Sequence, residues 1–272
     1  MRTAFSVLLF VLAGLLTPQV ASQEQQLDTA PNAFDDQYVG CIEKMERVAP
    51  QLLEEDMHMN ESFRIQWEKA EQHWRQIKNT VSYSSLLNDF HGTALVAYTG
   101  DIADDFNRAV RTFRLNQYNF YFKGFHYYLT RALQLLSTNN CYLVYRASET
   151  RFTYSGTGNA RFGHFISSSL NSGISEEFLR KSGTLFIIKS CLGVNIKDIS
   201  LDPEVKEFLI PGYEVYQRVT ITTKPEETYN TIELEEPQSM TSKYNCFYEN
   251  YDSSISGADI TTILPSLSLQ AL

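Results

Sequence analysis

The sequence predicts an α+β protein in which helices form the first half of the chain and strands form the second half. Before Cys141, apolar residues recur at helical spacing. After it, short segments rich in β-branched and aromatic residues are separated by Gly, Pro, Asn or Asp. Aromatic residues make up 13% of the chain, which is enough for a substantial core and argues against disorder. Helices followed by strands are typical of an α+β domain.

The helical half is predicted from apolar stripes. One stripe predicts a helix over residues 61–78 and consists of Phe63, Trp67, Ala70 and Trp74. Similar stripes predict helices over residues 86–95, 106–113 and 125–136. His126 lies among aromatic residues in the last of these. We therefore expect it to be a hydrogen-bonded core residue rather than an acid–base catalyst.

The strand half contains six segments that alternate with turn-forming residues. They predict strands over residues 142–146, 164–167, 184–189, 207–210, 214–222 and 231–235. The chain shows no internal repeat and no linker that would divide it. We therefore predict a single domain over residues 23–255.

The N-terminus of the chain carries a targeting signal, whereas the corresponding signal at the C-terminus is weak. Arg2 precedes an apolar run over residues 4–16, and the small residues at 20–22 suit cleavage, so residues 1–22 are predicted to be a secretory signal peptide. Residues 256–272 begin with small residues and end in a weakly apolar stretch, which leaves a lipid anchor open. Free secretion is the default, so the protein is expected to be secreted or to lie on the extracellular face of the plasma membrane.

The net charge and the cysteine content limit the kinds of partner and site that the sequence supports. The formal net charge of −9 argues against a nucleic-acid partner, because phosphate backbones need a basic face. Four cysteines without a C-x-x-C pair predict two disulfides rather than a metal site, and three pairings are open. The sequence Asn60-Glu61-Ser62 is a glycosylation acceptor, which requires Asn60 to lie at the surface.

Three polar side chains border apolar strands and are candidates for a site. Arg146 ends one predicted strand, Ser167 begins a run of three serines on another, and Glu207 opens a third. A charge beside an apolar segment is costly unless something pairs with it. Each residue alone fits an ordinary surface or turn position, because most Arg, Ser and Glu are exposed.

Together, these residues resemble the arginine, serine and glutamate pattern of vertebrate ecto-mono-ADP-ribosyltransferases. Three longer segments are similar to that family as well: the signature-like residues 120–132, the N-terminal residues 27–38 and the segment 209–215. The resemblance extends over residues 27–248. It implies an enzyme that cleaves NAD, with NADP also open, at the nicotinamide ribose, and that transfers ADP-ribose to an exposed arginine of an acceptor protein.

The resemblance also implies roles for individual residues. Arg146 would hold the NAD phosphate and the nicotinamide-ribose side with its bidentate donors. Ser167 would form a hydrogen bond near that ribose and position the catalytic acid, and Glu207 would be the catalytic carboxylate. Tyr98 and His164 resemble positions that line the nucleotide cleft, although a packing role is equally open for both.

The same resemblance implies the architecture. A helical N-terminal half would precede a β-sandwich-like NAD-binding core, with disulfides Cys41–Cys246 and Cys141–Cys191 and without a metal. Membrane association is expected only with a lipid anchor. We expect a monomer.

One position departs from the family pattern. Members that modify arginine carry Glu-x-Glu, whereas this chain has Val205-Lys206-Glu207. The missing carboxylate would bind the incoming guanidinium, a task for which valine has no acceptor. Asp202 and Glu204 are candidates to supply the charge. The alternatives are an NAD glycohydrolase, an acceptor other than arginine, and a non-catalytic recognition protein.

Overall fold

The computed structural model of the protein describes residues 24–82, 84–173, 183–224 and 227–251. The predicted signal peptide and the tail over residues 256–272 lie outside the described residues. Within the described parts of the chain, none of the helices combines the length and the apolar character that a membrane span needs.

The N-terminal half is helical, as predicted. Among the residues that the structure describes there, the α-helices are α1 (Ile42–Met59), α2 (Glu61–Ile77), α3 (Asp89–Tyr98), α4 (Ala103–Arg111) and α5 (Lys123–Leu136). Helices α2 to α5 correspond to the four apolar stripes. Helix α1 was not predicted. It packs against α5 so closely that a Cβ at Gly124 would clash with the backbone of Leu53. His126 is buried in α5, where its Nδ1 forms a 2.7 Å hydrogen bond with the hydroxyl of Tyr38, so the core prediction is confirmed.

Helices α1 and α2 meet at Asn60, the residue in the predicted glycosylation sequence. Its side-chain oxygen accepts a 3.0 Å hydrogen bond from the backbone N–H of Phe63 and so caps α2. Asn60 is partly exposed. Glycosylation at this residue stays a prediction.

The C-terminal half forms the large sheet, and a short strand over residues 24–26 joins a second, two-stranded sheet. The strands are β1 (Glu24–Gln26), β2 (Tyr142–Ser148), β3 (Arg151–Thr153), β4 (Ile166–Ser169), β5 (Gly183–Ser190), β6 (Val194–Asn195), β7 (Glu207–Ile210), β8 (Glu214–Thr223) and β9 (Tyr229–Ser239). A seven-stranded mixed sheet has the order β6-β7-β4-β2-β5-β9-β8, and β1 pairs with β3 beside it. All six predicted strands are present, whereas the short strands β1, β3 and β6 were not predicted.

Two apolar cores lie on either side of the strands that carry the candidate residues. Phe165 and Leu209 belong to the core formed with the helices, whereas their neighbours Ile166 and Phe208 belong to a second core within the sheet region. Adjacent side chains of a strand point to opposite faces, so this pattern fixes which face each residue presents. Strands β4 and β7 are thereby held between two apolar layers.

Two disulfides connect distant parts of the chain, with the pairing that the resemblance implies. Cys41, which precedes α1, is bonded to Cys246 in the C-terminal segment. Cys141 and Cys191 join the residue before β2 to the residue after β5. The second bond therefore links β2 and β5 at one end of the antiparallel pair that contains Arg146.

Candidate functional site

The sheet order brings the three candidate residues onto adjacent strands. Arg146 lies on β2, Ser167 on β4 and Glu207 at the start of β7, and these strands are neighbours in the order β7-β4-β2. The register aligns Ser169 with Tyr145 on one side and with Glu207 on the other. Residues that are far apart in sequence therefore lie on three adjacent strands.

The strands β2 and β4 diverge at this end. Their ladder pairs Tyr145 with Ser169, whereas β2 pairs with β5 along its whole length. The guanidinium of Arg146 crosses the resulting gap, and its Nη1 donates a 2.7 Å hydrogen bond to the backbone oxygen of Ser167. This contact leaves the other donors of the guanidinium for a ligand, because arginine carries five N–H groups.

Burial and the neighbouring groups act on the pKa of Arg146 in opposite directions. Burial lowers the pKa of its guanidinium, and the nearby Tyr98, Asp104 and Glu207 oppose that shift. An arginine keeps its charge at neutral pH even when it is desolvated. Arg146 is therefore a cation that interacts electrostatically with Glu207.

Glu207 is buried rather than a surface residue, with 5% of its area exposed. The hydroxyl of Ser200 donates a 2.7 Å hydrogen bond to its Oε2, and the backbone N–H of Ile196 donates a 2.9 Å bond to its carbonyl oxygen. The preceding Lys206 has a φ of 51°, a left-handed conformation that turns the chain into β7. Both the backbone and the side chain of Glu207 are thus fixed.

The two serines that follow Ser167 hold the backbone around Glu207, a role that the sequence did not predict. The hydroxyl of Ser168 donates to the carbonyl oxygen of Phe208 at 2.7 Å, and that of Ser169 donates to the carbonyl oxygen of Val205 at 2.7 Å. These two bonds hold the backbone on both sides of Glu207. Ser167, the residue assigned by resemblance, is more exposed than either of them.

Tyr98 and His164 lie beside Arg146, where each interacts electrostatically with it. The hydroxyl of Tyr98 donates a 2.8 Å hydrogen bond to the carbonyl oxygen of Phe165, and Nδ1 of His164 is 2.8 Å from the same oxygen. Burial lowers the pKa of His164 to about 3, so its ring is neutral at pH 7. Both side chains support the backbone that leads into β4.

The comparisons with known proteins agree with this geometry. A sequence profile of the family described as NAD:arginine ADP-ribosyltransferase matches residues 27–242. The chain belongs to this family.

Two relatives illustrate the similarity in sequence within the ADP-ribosyltransferase family. The T-cell ecto-ADP-ribosyltransferase 2 of Mus musculus is 53% identical over 259 residues, which cover 92% of this chain and 89% of that protein. The GPI-linked NAD(P)(+)–arginine ADP-ribosyltransferase 1 of Mus musculus is 36% identical over 247 residues, which cover 84% of this chain and 75% of that protein.

Solved structures confirm the α+β fold. The crystal structure of the eukaryotic mono-ADP-ribosyltransferase ART2.2 matches with a TM-score of 0.77 and 56% identity, covering 82% of this chain and 99% of that one. A variant of ART2.2 in complex with NAD matches with the same TM-score and 57% identity, again over 82% of this chain and 99% of that one.

Helix α4 adds residues that the sequence analysis missed. Asp104 interacts electrostatically with Arg146, and Nδ2 of Asn107 donates a 3.0 Å hydrogen bond to the hydroxyl of Tyr98. Arg111 donates to the carbonyl oxygen of Phe162, near His164. Asp104, Asn107 and Arg111 are spaced by three and four residues, so they share one helical face. A polar stripe of this kind was the available signal in this ADP-ribosyltransferase sequence.

The loop before β7 contains the departure from the family pattern. Val205 is partly buried at the end of a short 3₁₀ turn, Pro203–Val205. The carboxylate of Asp202 accepts a 3.3 Å hydrogen bond from the backbone N–H of Glu204 and thereby caps this turn. Asp202 and Glu204 are both exposed. In this arrangement Asp202 stabilises the loop, while the carboxylate of Glu204 is accessible to solvent.

Proposed function

We propose that this protein is a mono-ADP-ribosyltransferase that cleaves NAD at the nicotinamide ribose and transfers ADP-ribose to arginine side chains of proteins. The observation that carries the proposal is that Arg146 and the buried Glu207 interact electrostatically from strands on either side of β4, where Arg146 is bonded to the backbone of Ser167. Relatives of the chain bear names that specify this activity, and an ART2.2 structure contains NAD.

The proposed chemistry assigns binding to Arg146 and charge stabilisation to Glu207. Guanidinium donors of Arg146 that Ser167 leaves free suit the oxygens of a phosphate. As the bond between the ribose carbon C1′ and nicotinamide breaks, nicotinamide leaves with the bonding electrons and C1′ becomes positive. A carboxylate placed near the ribose stabilises that charge and accepts a hydrogen bond from the 2′-hydroxyl. A guanidinium nitrogen of the acceptor then bonds to C1′ and loses a proton.

The proposal places this reaction outside the cell. Relatives are named ecto-ADP-ribosyltransferases, and one is named as GPI-linked. We further propose that the protein is secreted freely after removal of residues 1–22. It would then consist of a single domain over residues 23–255 and act as a monomer. NAD is the proposed substrate.

Hydrolysis of NAD is the second candidate, and Val205 is the observation that favours it. Valine offers no acceptor to a guanidinium, and Lys206 beside it is exposed and would repel one. Water would then bond to C1′ in place of the acceptor. Both reactions share the step that releases nicotinamide, so they differ only in what attacks C1′.

The primary test uses labelled NAD, a soluble guanidine acceptor and the purified secreted protein. Glu207→Gln should lower kcat for nicotinamide release by about 100-fold or more, because a neutral amide cannot stabilise the developing charge. The matched control is Glu149→Gln, the same change at an exposed position after β2. Equal nicotinamide release by the wild type and Glu207→Gln would contradict the assignment, and NAD binding without any release would favour a recognition protein.

A second substitution decides between transfer and hydrolysis. Val205→Glu should raise the ratio of labelled acceptor to released nicotinamide, because the new carboxylate can pair with the guanidinium. Val205→Gln is the control of similar size without the charge. If the two variants give the same ratio, Val205 does not set the acceptor preference.

A further inference from the structure

We propose that Ser200 is a positioning residue that fixes the orientation of the Glu207 carboxylate. This inference rests on the proposed function. The hydroxyl oxygen of Ser200 lies 2.7 Å from Oε2 of Glu207, and both residues are buried, at 4% and 5% exposure. Ser200 lies outside the serine run and was not among the site residues that the resemblance predicts.

The direction of this hydrogen bond follows from the neighbours of Ser200. The backbone N–H of Asp202 donates to the Ser200 hydroxyl oxygen at 3.3 Å, so that oxygen already acts as an acceptor. An ionised carboxylate can only accept hydrogen bonds. The hydroxyl hydrogen of Ser200 is therefore directed to Glu207, where it forms a charge-assisted bond.

The backbone holds Ser200 in this position. The N–H of Ser200 donates to the carbonyl oxygen of Ile196 at 2.9 Å, and the N–H of Ile196 donates to the carbonyl oxygen of Glu207 at 2.9 Å. Ile196 and Ile199 are fully buried in the core formed with the helices. The turn that carries Ser200 is thus anchored on Glu207 itself and cannot shift independently of it.

A second anchor connects this turn to the helical half. The backbone N–H of Leu201 donates a 3.2 Å hydrogen bond to the hydroxyl of Thr99, the residue that follows α3. Thr99 is adjacent to Tyr98, whose hydroxyl supports the entry to β4. Ser200 therefore lies where the helices, β4 and β7 come together. Because its turn is bonded to these elements, its hydroxyl holds Oε2 of Glu207 in one position.

The hydrogen bond from Ser200 orients the carboxylate of Glu207 for the proposed reaction. With Oε2 held by Ser200, rotation of the carboxylate is restricted and Oε1 is left for the substrate. Loss of the hydroxyl removes a hydrogen bond to a charged group and frees the carboxylate to rotate. We expect Ser200→Ala to lower kcat for nicotinamide release by about 10- to 100-fold. KM for NAD should change less than about twofold, because Ser200 does not contact the substrate.

The chain provides a matched control for this change. Ser190 donates a hydrogen bond of the same length, 2.7 Å, to the buried carboxylate of Glu214. Glu214 also accepts from the backbone N–H groups of Cys191 and Leu192, so its orientation does not depend on one hydroxyl. Ser190→Ala therefore removes the same type of bond from a carboxylate outside the proposed site.

The experiment measures kcat and KM for nicotinamide release, together with urea unfolding, in the wild type, Ser200→Ala and Ser190→Ala. In Ser200→Ala alone, kcat should fall while KM for NAD stays within about twofold, because the carboxylate loses the donor that orients it. A purely structural role would lower the free energy of unfolding, and kcat with it, to a similar extent in both variants. Ser200→Cys nearly keeps the size of the side chain but weakens the donor, so it should give a smaller loss of kcat and serves as the test variant if Ser200→Ala does not fold.

The outcomes separate the two claims. If the wild type releases nicotinamide and Ser200→Ala matches it in kcat and KM, the inference about Ser200 is overturned while the proposed function stands. Equal effects of Ser200→Ala and Ser190→Ala would also overturn it, since they would indicate a general loss of stability. If the wild type releases no nicotinamide, the proposed function fails and the inference fails with it.

Discussion

Asp56 gives a pH-dependent prediction that can be isolated with one substitution. Its carboxylate is completely buried at the end of α1, where Oδ2 accepts a 2.7 Å hydrogen bond from the backbone N–H of Gly124 at the start of α5. Burial raises the pKa of Asp56 from 3.8 to about 7, although the charge of Lys123 and the backbone hydrogen bonds work against the shift. Asp56→Asn keeps the shape and one acceptor oxygen but removes the titration.

The sign follows from proton binding. With a raised pKa, the folded state holds a proton between about pH 4 and pH 7 that the unfolded state has released. The contribution of Asp56 to the free energy of unfolding therefore falls as the pH rises through this window and is constant above it. Two pH units within the window, at about 1.4 kcal/mol each, amount to about 2–3 kcal/mol between pH 5 and pH 8.

The assay is urea denaturation of the wild type and Asp56→Asn at pH 5, 6, 7 and 8 with the disulfides intact. The wild type should lose about 2–3 kcal/mol relative to the variant across this range. The buried His91 and His126, whose pKa values burial lowers to about 4 and about 3, act in the opposite sense. Their contribution is present above their unfolded pKa of about 6.5 and is lost as the pH falls, but it cancels in the difference between the proteins. A difference that stays constant from pH 5 to pH 8, with equal m-values, would refute this account of Asp56.

Two further predictions concern packing and substrate binding. Gly92→Ala should destabilise the protein by about 2–3 kcal/mol in thermal or urea unfolding, because its Cβ would lie 2.1 Å from the Trp74 ring. Gly100→Ala meets its nearest atom at 3.4 Å and should change stability by less than about 0.5 kcal/mol, so equal effects would contradict the packing argument. Arg146→Lys should lower kcat/KM for NAD by about 10- to 100-fold through loss of the bidentate donors, and an unchanged value in nicotinamide release would exclude that contact.

The sequence predicted elements well where a single apolar stripe or a β-branched run dominated. Helix α1 was missed because two of its residues conflict with such a pattern. Pro50 lies inside the helix, where proline is normally unfavourable, and Asp56 occupies a fully buried position. The reason for a buried carboxylate is that it accepts N–H groups at the start of α5, which is a tertiary contact that no local pattern reveals.

The candidate site was predictable only in part for a similar reason. Arg146, Ser167 and Glu207 were identified through resemblance, since each residue type alone fits a surface position. Ser200 could not be found in this way, because its significance comes from a turn that folds back onto Glu207. Helical spacing on α4 could have indicated Asn107, but not that its side chain donates to the hydroxyl of Tyr98. Spacing within an element is encoded locally, whereas contacts between elements depend on the whole fold.

The way in which Glu207 is stabilised bears on how it could act. Within the described residues, Glu207 forms no ion pair at 4.0 Å or less with a lysine or arginine, and its identified side-chain partner is the hydroxyl of Ser200. A cation bonded directly to the carboxylate would offset the negative charge that an oxocarbenium-like ribose requires. A hydroxyl donor orients the carboxylate and leaves its net charge in place. Arg146 interacts electrostatically with Glu207 but donates its hydrogen bond to the backbone of Ser167, so the guanidinium and the carboxylate are held by different partners.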